Sequence, residues 1–392
     1  MSVSPEINQE ELALFRDMVL RALEQEVAPH YEEWEQAGIV PRQLWNTLGE
    51  AGMLCVDLPE EYGAAGTSYH VVQMIIEELS RLGYGGLASG YNIHANIVAP
   101  YIYHIGNDEQ KQRWLPSLIK GDDITCFGVT EPNAGLDTTS IETRAVRQPD
   151  GNYVIDGRKI WTTTAQEATK FMILARTTPK DQCKKSTDGI SLFYTDFDRS
   201  KIEATVIPKM GRKAVESNAV FIDGLHVPKE DLIGEEGKGF YYILHSLNPE
   251  RILIASEAIG IGQSALRRAV QYAKDREVFG RPIGMNQSIQ HPLAKNWAEL
   301  EAAWMIAMKA ADLYDRGEPC GAEANAAKYL GAEAGFEACT QAVLTHGGMG
   351  YAKEYTVERL MREVMIPRIA PVSMQMILSH IAEKKLGLPK SY

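Results

Sequence analysis

The stretch CFGVTEPNAGLDTTS, residues 126–140, marks the place where the chain changes character. Before it, from residue 7 to about 122, apolar residues recur at three- and four-residue spacing, as in PRQLWNTLGEAGML and VVQMIIEELSRLG. That is the pattern of amphipathic helices, interrupted by the turn PEEYGAAGTSY. From 123 to about 233 short apolar or alternating runs take over: ITCFGVT, YVIDGRKIWTTT, FMILAR, ISLFYTDF, EATVIP and AVFIDGLHV. Gly, Asp, Asn and Pro separate them, which predicts an antiparallel β-domain with DGRK as a hairpin turn. TTPKDQCKKSTDG (177–189) is the most loop-like stretch. From 236 onward helical patterns return: GFYYILHSL, then 250–276, a stretch around 286–316, another over 322–345 and a last one after 372. Long helices with short connections predict an antiparallel bundle. The expected fold class is α+β, in three domains: helical (1–122), β (123–234) and a C-terminal helical bundle (235–392).

Bulk properties narrow the function. A chain of 392 residues exceeds one ordinary core, and 45% hydrophobic with 23% charged residues is the balance of a soluble globular protein. A net charge of −12 argues against a nucleic-acid partner, which would want a basic face. It does not exclude an anionic small ligand, which needs only a few local cations. The five cysteines lie far apart, with no C-x-x-C pair. That favours a reducing compartment and argues against a cysteine zinc site. The nine histidines form no H-x-x-x-H pair, so no metal is expected. The start MSVSPEINQEEL is acidic and polar, unlike a signal or transit peptide, and no run of about 18 apolar residues predicts a membrane span. The expected location is cytoplasmic, or peripheral to a membrane.

GIGQSA (260–265) fits the G-x-G-x-x-A dinucleotide fingerprint, which must follow a strand and open a helix. Here it lies inside a helical run, so Gly260 and Gly262 are expected to permit close helix packing instead. CFGVTEPNAGLDTTS and KIWTTTAQEATKF (159–171) are more informative. Each is a β-run ending in hydroxyl, carbonyl and small residues, and one carries Trp161. Strand-end hydroxyls and free N–H groups suit the polar edge of a flavin ring, and an aromatic suits its face. In REVFGRPIGMNQSIQ (276–290), Arg276 and Arg281 could pair with phosphates and Gln287 adds an amide. In HGGMGY (346–351) the glycines would let a ligand approach the backbone, or simply end a helix.

Together these strings resemble the acyl-CoA dehydrogenase family over nearly the whole length. PEEYGAAG resembles its first-domain turn, and NDEQKQRWLPSLIKGD the stretch before its β-domain. VTEPNAGLD resembles its T-E-P-x-A-G-S-D motif, KIWTTTA its W-I-T-N segment, and ESNAVFIDGLHVPKEDLIGEEGKGF the end of that domain. DREVFGRPI with Gln287, and HGGMGYAKEYTVERLMRE, complete the set. The resemblance implies a helical domain, a β-domain and a four-helix domain, with FAD held in part by a neighbouring subunit of a dimer or tetramer. Carried over by position, Phe127, Val129 and Thr130 line the flavin, with Gly135 and Leu136 in the adjoining turn and Trp161 and Thr163 beside the ring. Arg276, Phe279 and Gln287 reach the partner's FAD, near Leu344, Gly347 and Gly348, and Ser373 and Gln375 contact FAD near the C-terminus. Arg251, with Asn248 and Leu136, belongs to the substrate side. The implied substrate is an acyl-CoA and the implied electron acceptor an electron-transferring flavoprotein.

Three positions depart from the pattern. Leu136 replaces the serine of A-G-S-D, Leu344 replaces a glutamine, and Pro371 stands where most relatives carry their catalytic base. The family reaction needs a carboxylate to take the α-proton as the β-hydrogen leaves to flavin N5, and proline cannot serve. Glu250, in SLNPERILIAS (246–256), fills the gap. A subset that resembles isovaleryl-CoA and long-chain acyl-CoA dehydrogenases places its base directly before the pocket arginine, as Glu250 stands before Arg251. Asn248 is expected to cap that helix, with Pro249 in its first turn. Ile252–Ile254 would raise the pKa of Glu250, whereas the helix dipole and Arg251 would lower it. A flavin oxidase of the same fold, and a silent partner subunit that binds FAD or CoA, stay open at this point.

Overall fold

The computed structural model describes residues 9–391, so residues 1–8 of the polar start lie outside the described residues. The chain divides into two compact units that interleave in sequence. One holds residues 21–67 and 89–247, the other residues 9–20, 68–88 and 248–391. The first helical segment is thus shared between them. The reason is packing: residues 68–88 bury their apolar face against the C-terminal helices and belong with that core.

In the first unit the strands are β1 (Thr125–Gly128), β2 (Arg144–Arg147), β3 (Tyr153–Thr163), β4 (Lys170–Arg176), β5 (Ile190–Asp196), β6 (Ile202–Val206), β7 (Ser217–Val227) and β8 (Leu232–Ile233). They form one sheet in the order β6-β7-β3-β2-β4-β5-β8, with β1 against β4. Most pairs are antiparallel, as expected, but β1 and β2 both run parallel to β4. The chain leaves β1, turns through EPNAG and resumes as β2 along the same neighbour. The DGRK hairpin is corrected. Residues 156–159 lie inside β3, which pairs with β7 along its whole length through a bulge after Ile155. Gly157 is needed there because a Cβ would sit 2.4 Å from Thr143 Oγ1. The sheet core runs from Cys126 and Phe171 through Phe193 to Val227. The loop-like stretch 177–189 does connect two strands, β4 and β5.

The second unit is helical. Its main elements are α1 (Tyr69–Arg81), α2 (Leu247–Asp275), α3 (Gln287–Asp315), α4 (Gly321–His346) and α5 (Met374–Lys384). Between α2 and α3 a two-residue hairpin pairs β9 (Glu277–Val278) with β10 (Arg281–Pro282). The core is rich in alanine, from Ala255 and Ala265 on α2 to Ala338 and Ala342 on α4, which lets helix axes approach closely. Gly260 and Gly262 serve that approach. A Cβ on Gly260 would lie 2.6 Å from the Glu77 carbonyl on α1, and one on Gly262 would lie 2.9 Å from Gly335 Cα on α4. The cap assigned to Asn248 is also corrected. α2 begins at Leu247, and the Asn248 side chain accepts from Arg251 Nη1 at 3.2 Å instead of capping backbone. All five cysteines are free thiols, and among the described residues no single helix is long and apolar enough to cross a membrane.

Candidate active site

The first turn of α2 carries Glu250 and Arg251. The turn is helical because Pro249 sits where a missing N–H costs nothing, and Ile252 and Leu253 anchor it in the core at 0% and 1% exposure. Burial pushes the Glu250 carboxyl up to about 7, outweighing the Arg251 guanidinium, which acts in the opposite direction. Arg251 is itself buried, with Nη1 on Asn248 and Nε without a partner among the described residues. A carboxylate poised near neutrality, beside a cation that does not neutralise it, suits general-base work.

The segment around Pro371 has a different construction. Lys328, on α4 and fully buried, donates from Nζ to the Val372 carbonyl at 2.8 Å and lies 3.5 Å from Met374 Sδ. Burial, helped by the Arg251 charge and opposed by Glu333, lowers its pKa to about 8. Ser373 caps α5 by accepting from Met376 N–H, while Gln375 stays exposed. No carboxylate occupies positions 369–376.

In the sheet unit the two flavin-like strings are tied together. Ile160 N–H donates to the Thr130 carbonyl at 2.9 Å, and Lys159 Nζ donates to the Val129 carbonyl at 3.1 Å and to Glu131 Oε1 at 2.8 Å. Glu131 also accepts from Glu142 N–H at 2.6 Å and Thr143 N–H at 3.0 Å. Burial raises the Glu131 pKa, but the Lys159 charge and these donors overcome it and hold the carboxyl below its usual range. Phe127, Val129, Thr130 and Thr163 are half-buried on this surface. Trp161 is 54% exposed on a left-handed backbone, φ 60°. A strained aromatic with so much open surface is what a flat ring would cover. A Cβ on Gly135 would meet no atom within 4 Å, which leaves that backbone open to approach, and Leu136 is exposed beside it.

In the helical unit the other expected cofactor residues gather at helix ends. The β9–β10 hairpin turns on Phe279 and Gly280, both at positive φ, and leaves Phe279 fully exposed. Arg276 and Gln287 flank it, while Arg281 is engaged with Asn286 Oδ1 at 2.8 Å. Tyr272 stacks on His346 with ring centres 4.3 Å apart, which brings the end of α2 to the end of α4. Leu344, Gly347 and Gly348 lie exposed there, and Gly347 closes α4 at φ 60°.

Comparison with known proteins matches three family descriptions in chain order: the acyl-CoA dehydrogenase N-terminal domain over residues 9–122, middle domain over 126–225 and C-terminal domain over 237–386. An acyl-CoA dehydrogenase of Mycobacterium tuberculosis is 37% identical over 354 residues, covering 89% of each chain. The chain belongs to the acyl-CoA dehydrogenase family. Its members are FAD-dependent oxidoreductases acting on CH–CH bonds, with a helical, a β and a second helical domain. Among solved structures, an acyl-CoA dehydrogenase from Geobacillus kaustophilus superposes with a TM-score of 0.93 at 32% identity, covering 98% of this chain and 100% of that one. The butyryl-CoA dehydrogenase of Megasphaera elsdenii gives 0.91 at 30%, covering 97% and 100%.

Sequence reasoning missed Glu131, Lys159, Lys328 and Tyr69. Glu131, in the turn after β1, and Lys159, in a β3 that also carries Asp156 and Arg158, meet across 28 residues, so neither stands out in its own neighbourhood. The other two act across long sequence separations and leave no local trace.

Proposed function

We propose that this acyl-CoA dehydrogenase family member removes hydrogens from the α and β carbons of an acyl-CoA thioester, giving the trans-2-enoyl-CoA, with Glu250 as the base. One observation carries the reading: Glu250 is the carboxylate whose pKa burial raises to about 7, on the first turn of α2, while the alternative base position holds Pro371. Glu250 would take the α-proton onto a carboxylate oxygen, and the apolar wall of Ile252 and Leu253 would keep water from competing. Arg251, held by Asn248, would orient the turn and favour the ionised base. When bound, FAD supplies the acceptor for the β-hydrogen as hydride at flavin N5.

Phe127, Val129, Thr130, Trp161 and Thr163 would hold the flavin, with Gly135 and Leu136 offering backbone. Arg276, Phe279 and Gln287, with Leu344, Gly347 and Gly348, would hold the FAD of a neighbouring copy, and Ser373 and Gln375 would contribute near α5. Full exposure of Phe279 and 91% exposure of Tyr351 support a homo-oligomer that covers them. Electrons would pass to an electron-transferring flavoprotein, in the cytoplasm, where free thiols persist.

The test is anaerobic. Purified protein should be yellow, and a panel of acyl-CoAs of different length and branching should include one that bleaches the flavin. Glu250→Gln should keep FAD and stay yellow. If no acyl-CoA bleaches the wild type, the reading is wrong; if Glu250→Gln still turns over, the base is elsewhere. Rapid re-oxidation by air with peroxide release would make the protein an oxidase instead.

A further inference from the structure

The start of α1 lacks the usual side-chain cap: the Ser68 hydroxyl makes no bond to the helix. A carboxylate from another helix takes its place. Tyr69 N–H donates to Asp315 Oδ1 at 2.8 Å, at the last turn of α3, and His70 Nε2 lies 2.7 Å from Asp312 Oδ1. The Tyr69 ring packs on Tyr314, with centres 4.6 Å apart, and is 5% exposed. Backbone and ring are both held, and the hydroxyl points from that fixed ring toward the start of α2. It donates to the Pro249 carbonyl at 2.7 Å.

That carbonyl is not an arbitrary acceptor. The C=O of Pro249 and the N–H of Glu250 belong to one planar peptide unit. A donor that fixes the oxygen therefore fixes the plane from which Glu250 departs. Three helix ends (α1, α2 and α3) meet at one phenol, one residue from the base.

We infer that Tyr69 is a positioning residue for Glu250, its hydroxyl holding the Pro249–Glu250 peptide so that the carboxylate meets the substrate α-proton in one geometry. The inference rests on Glu250 being the base. In this role Tyr69 acts through the Pro249–Glu250 peptide and not on the reacting atoms themselves. Proton transfer is steep in distance, and displacement of about 1 Å can cost on the order of 100-fold in rate.

The test uses the full-length, FAD-loaded protein and Tyr69→Phe, which keeps the ring on Tyr314 and removes one oxygen. At saturating acyl-CoA, the rate constant for anaerobic flavin reduction should fall about 10- to 100-fold. The half-saturating acyl-CoA concentration and the FAD content should stay within about twofold of wild type. A second readout needs no turnover: infrared titration of the Glu250 carboxyl, assigned by its loss in Glu250→Gln. Its midpoint, near 7 in the wild type, should fall by about one unit in Tyr69→Phe as the loosened turn admits water. An unchanged rate with an unchanged midpoint overturns the inference, as does a rate loss that only mirrors lost FAD. If no acyl-CoA reduces the wild-type flavin, the proposed reaction fails, and the carboxyl titration alone decides whether Tyr69 positions Glu250.

Discussion

Glu250 and Glu131 are both carboxylates placed next to a buried cation, and their acidities move in opposite directions. Glu131 receives the Lys159 ammonium at 2.8 Å and two backbone N–H groups, so its charge is favoured despite burial. Glu250 has the Arg251 guanidinium as neighbour but, among the described residues, no comparable set of donors, and burial wins, raising it to about 7. The difference teaches that a nearby positive charge does not by itself make an ion pair. Hydrogen-bond donors convert a buried carboxylate into a structural anchor, and their scarcity leaves one able to take a proton. The two carboxylates are thus in different states, one held charged by its donors and one left able to take up a proton near neutrality.

The largest expected effect breaks the chemical side of the contrast. Glu250→Gln should lower the rate of flavin reduction by about 1,000-fold or more while FAD stays bound, as read by stopped-flow absorbance. Breaking the structural side should leave chemistry to fail only through the fold. Glu131→Ala strands a buried ammonium, at a cost of about 3–5 kcal/mol and on the order of 10 °C in Tm, with weakened FAD retention. Lys159→Met should cost less, because Glu131 keeps its two backbone donors; calorimetry on both variants decides the order.

The third effect sharpens the sign. The Glu250 pKa is higher folded than unfolded, so the unfolded state loses its proton first as pH rises. Wild-type stability therefore carries a penalty that is absent below about pH 4.5, grows toward pH 7 and is constant above it. Glu250→Gln removes it, so the variant should be more stable than wild type at pH 8, by about 2 kcal/mol after allowance for partial exposure, and equal near pH 4. Denaturant unfolding at the two pH values tests this, and a variant less stable at pH 8 would refute the assignment. The reduction rate should rise with pH through about 7, since only the ionised base is active. The smallest effect concerns a departure from the family pattern. Leu136 is 62% exposed, so Leu136→Ser should leave Tm within about 1 °C and change the half-saturating acyl-CoA concentration by less than about fivefold.

The order of helical, β and helical segments was legible because periodicity is a local property, and each strand or helix shows its buried face in its own spacing. The strings CFGVTEPNAGLDTTS and KIWTTTA were legible for the same reason: strand, turn and functional residue types are contiguous. DGRK misled because its turn chemistry is equally that of a bulge, and only pairing with β7 along the full length of β3 distinguishes them. Asn248 misled in a similar way. An Asx residue before proline suits a cap, but a guanidinium one turn on competes for the same oxygen.

The sequence by itself determined that proline stands at 371, where no proton can be taken, and that a carboxylate stands at Glu250 directly before an arginine. It could not determine what Glu250 would weigh, because the dipole, Arg251 and the apolar neighbours pull in opposite directions and their balance depends on how much water the folded turn excludes. Tertiary structure decided that balance in favour of burial. It also decided the anchors no local pattern announces: Lys159 against Glu131, Lys328 on the Val372 carbonyl, and Tyr69 reaching across 180 residues to the Pro249–Glu250 peptide. These are long-range pairings, and a long-range partner is specified by the closed fold and not by the residues beside it.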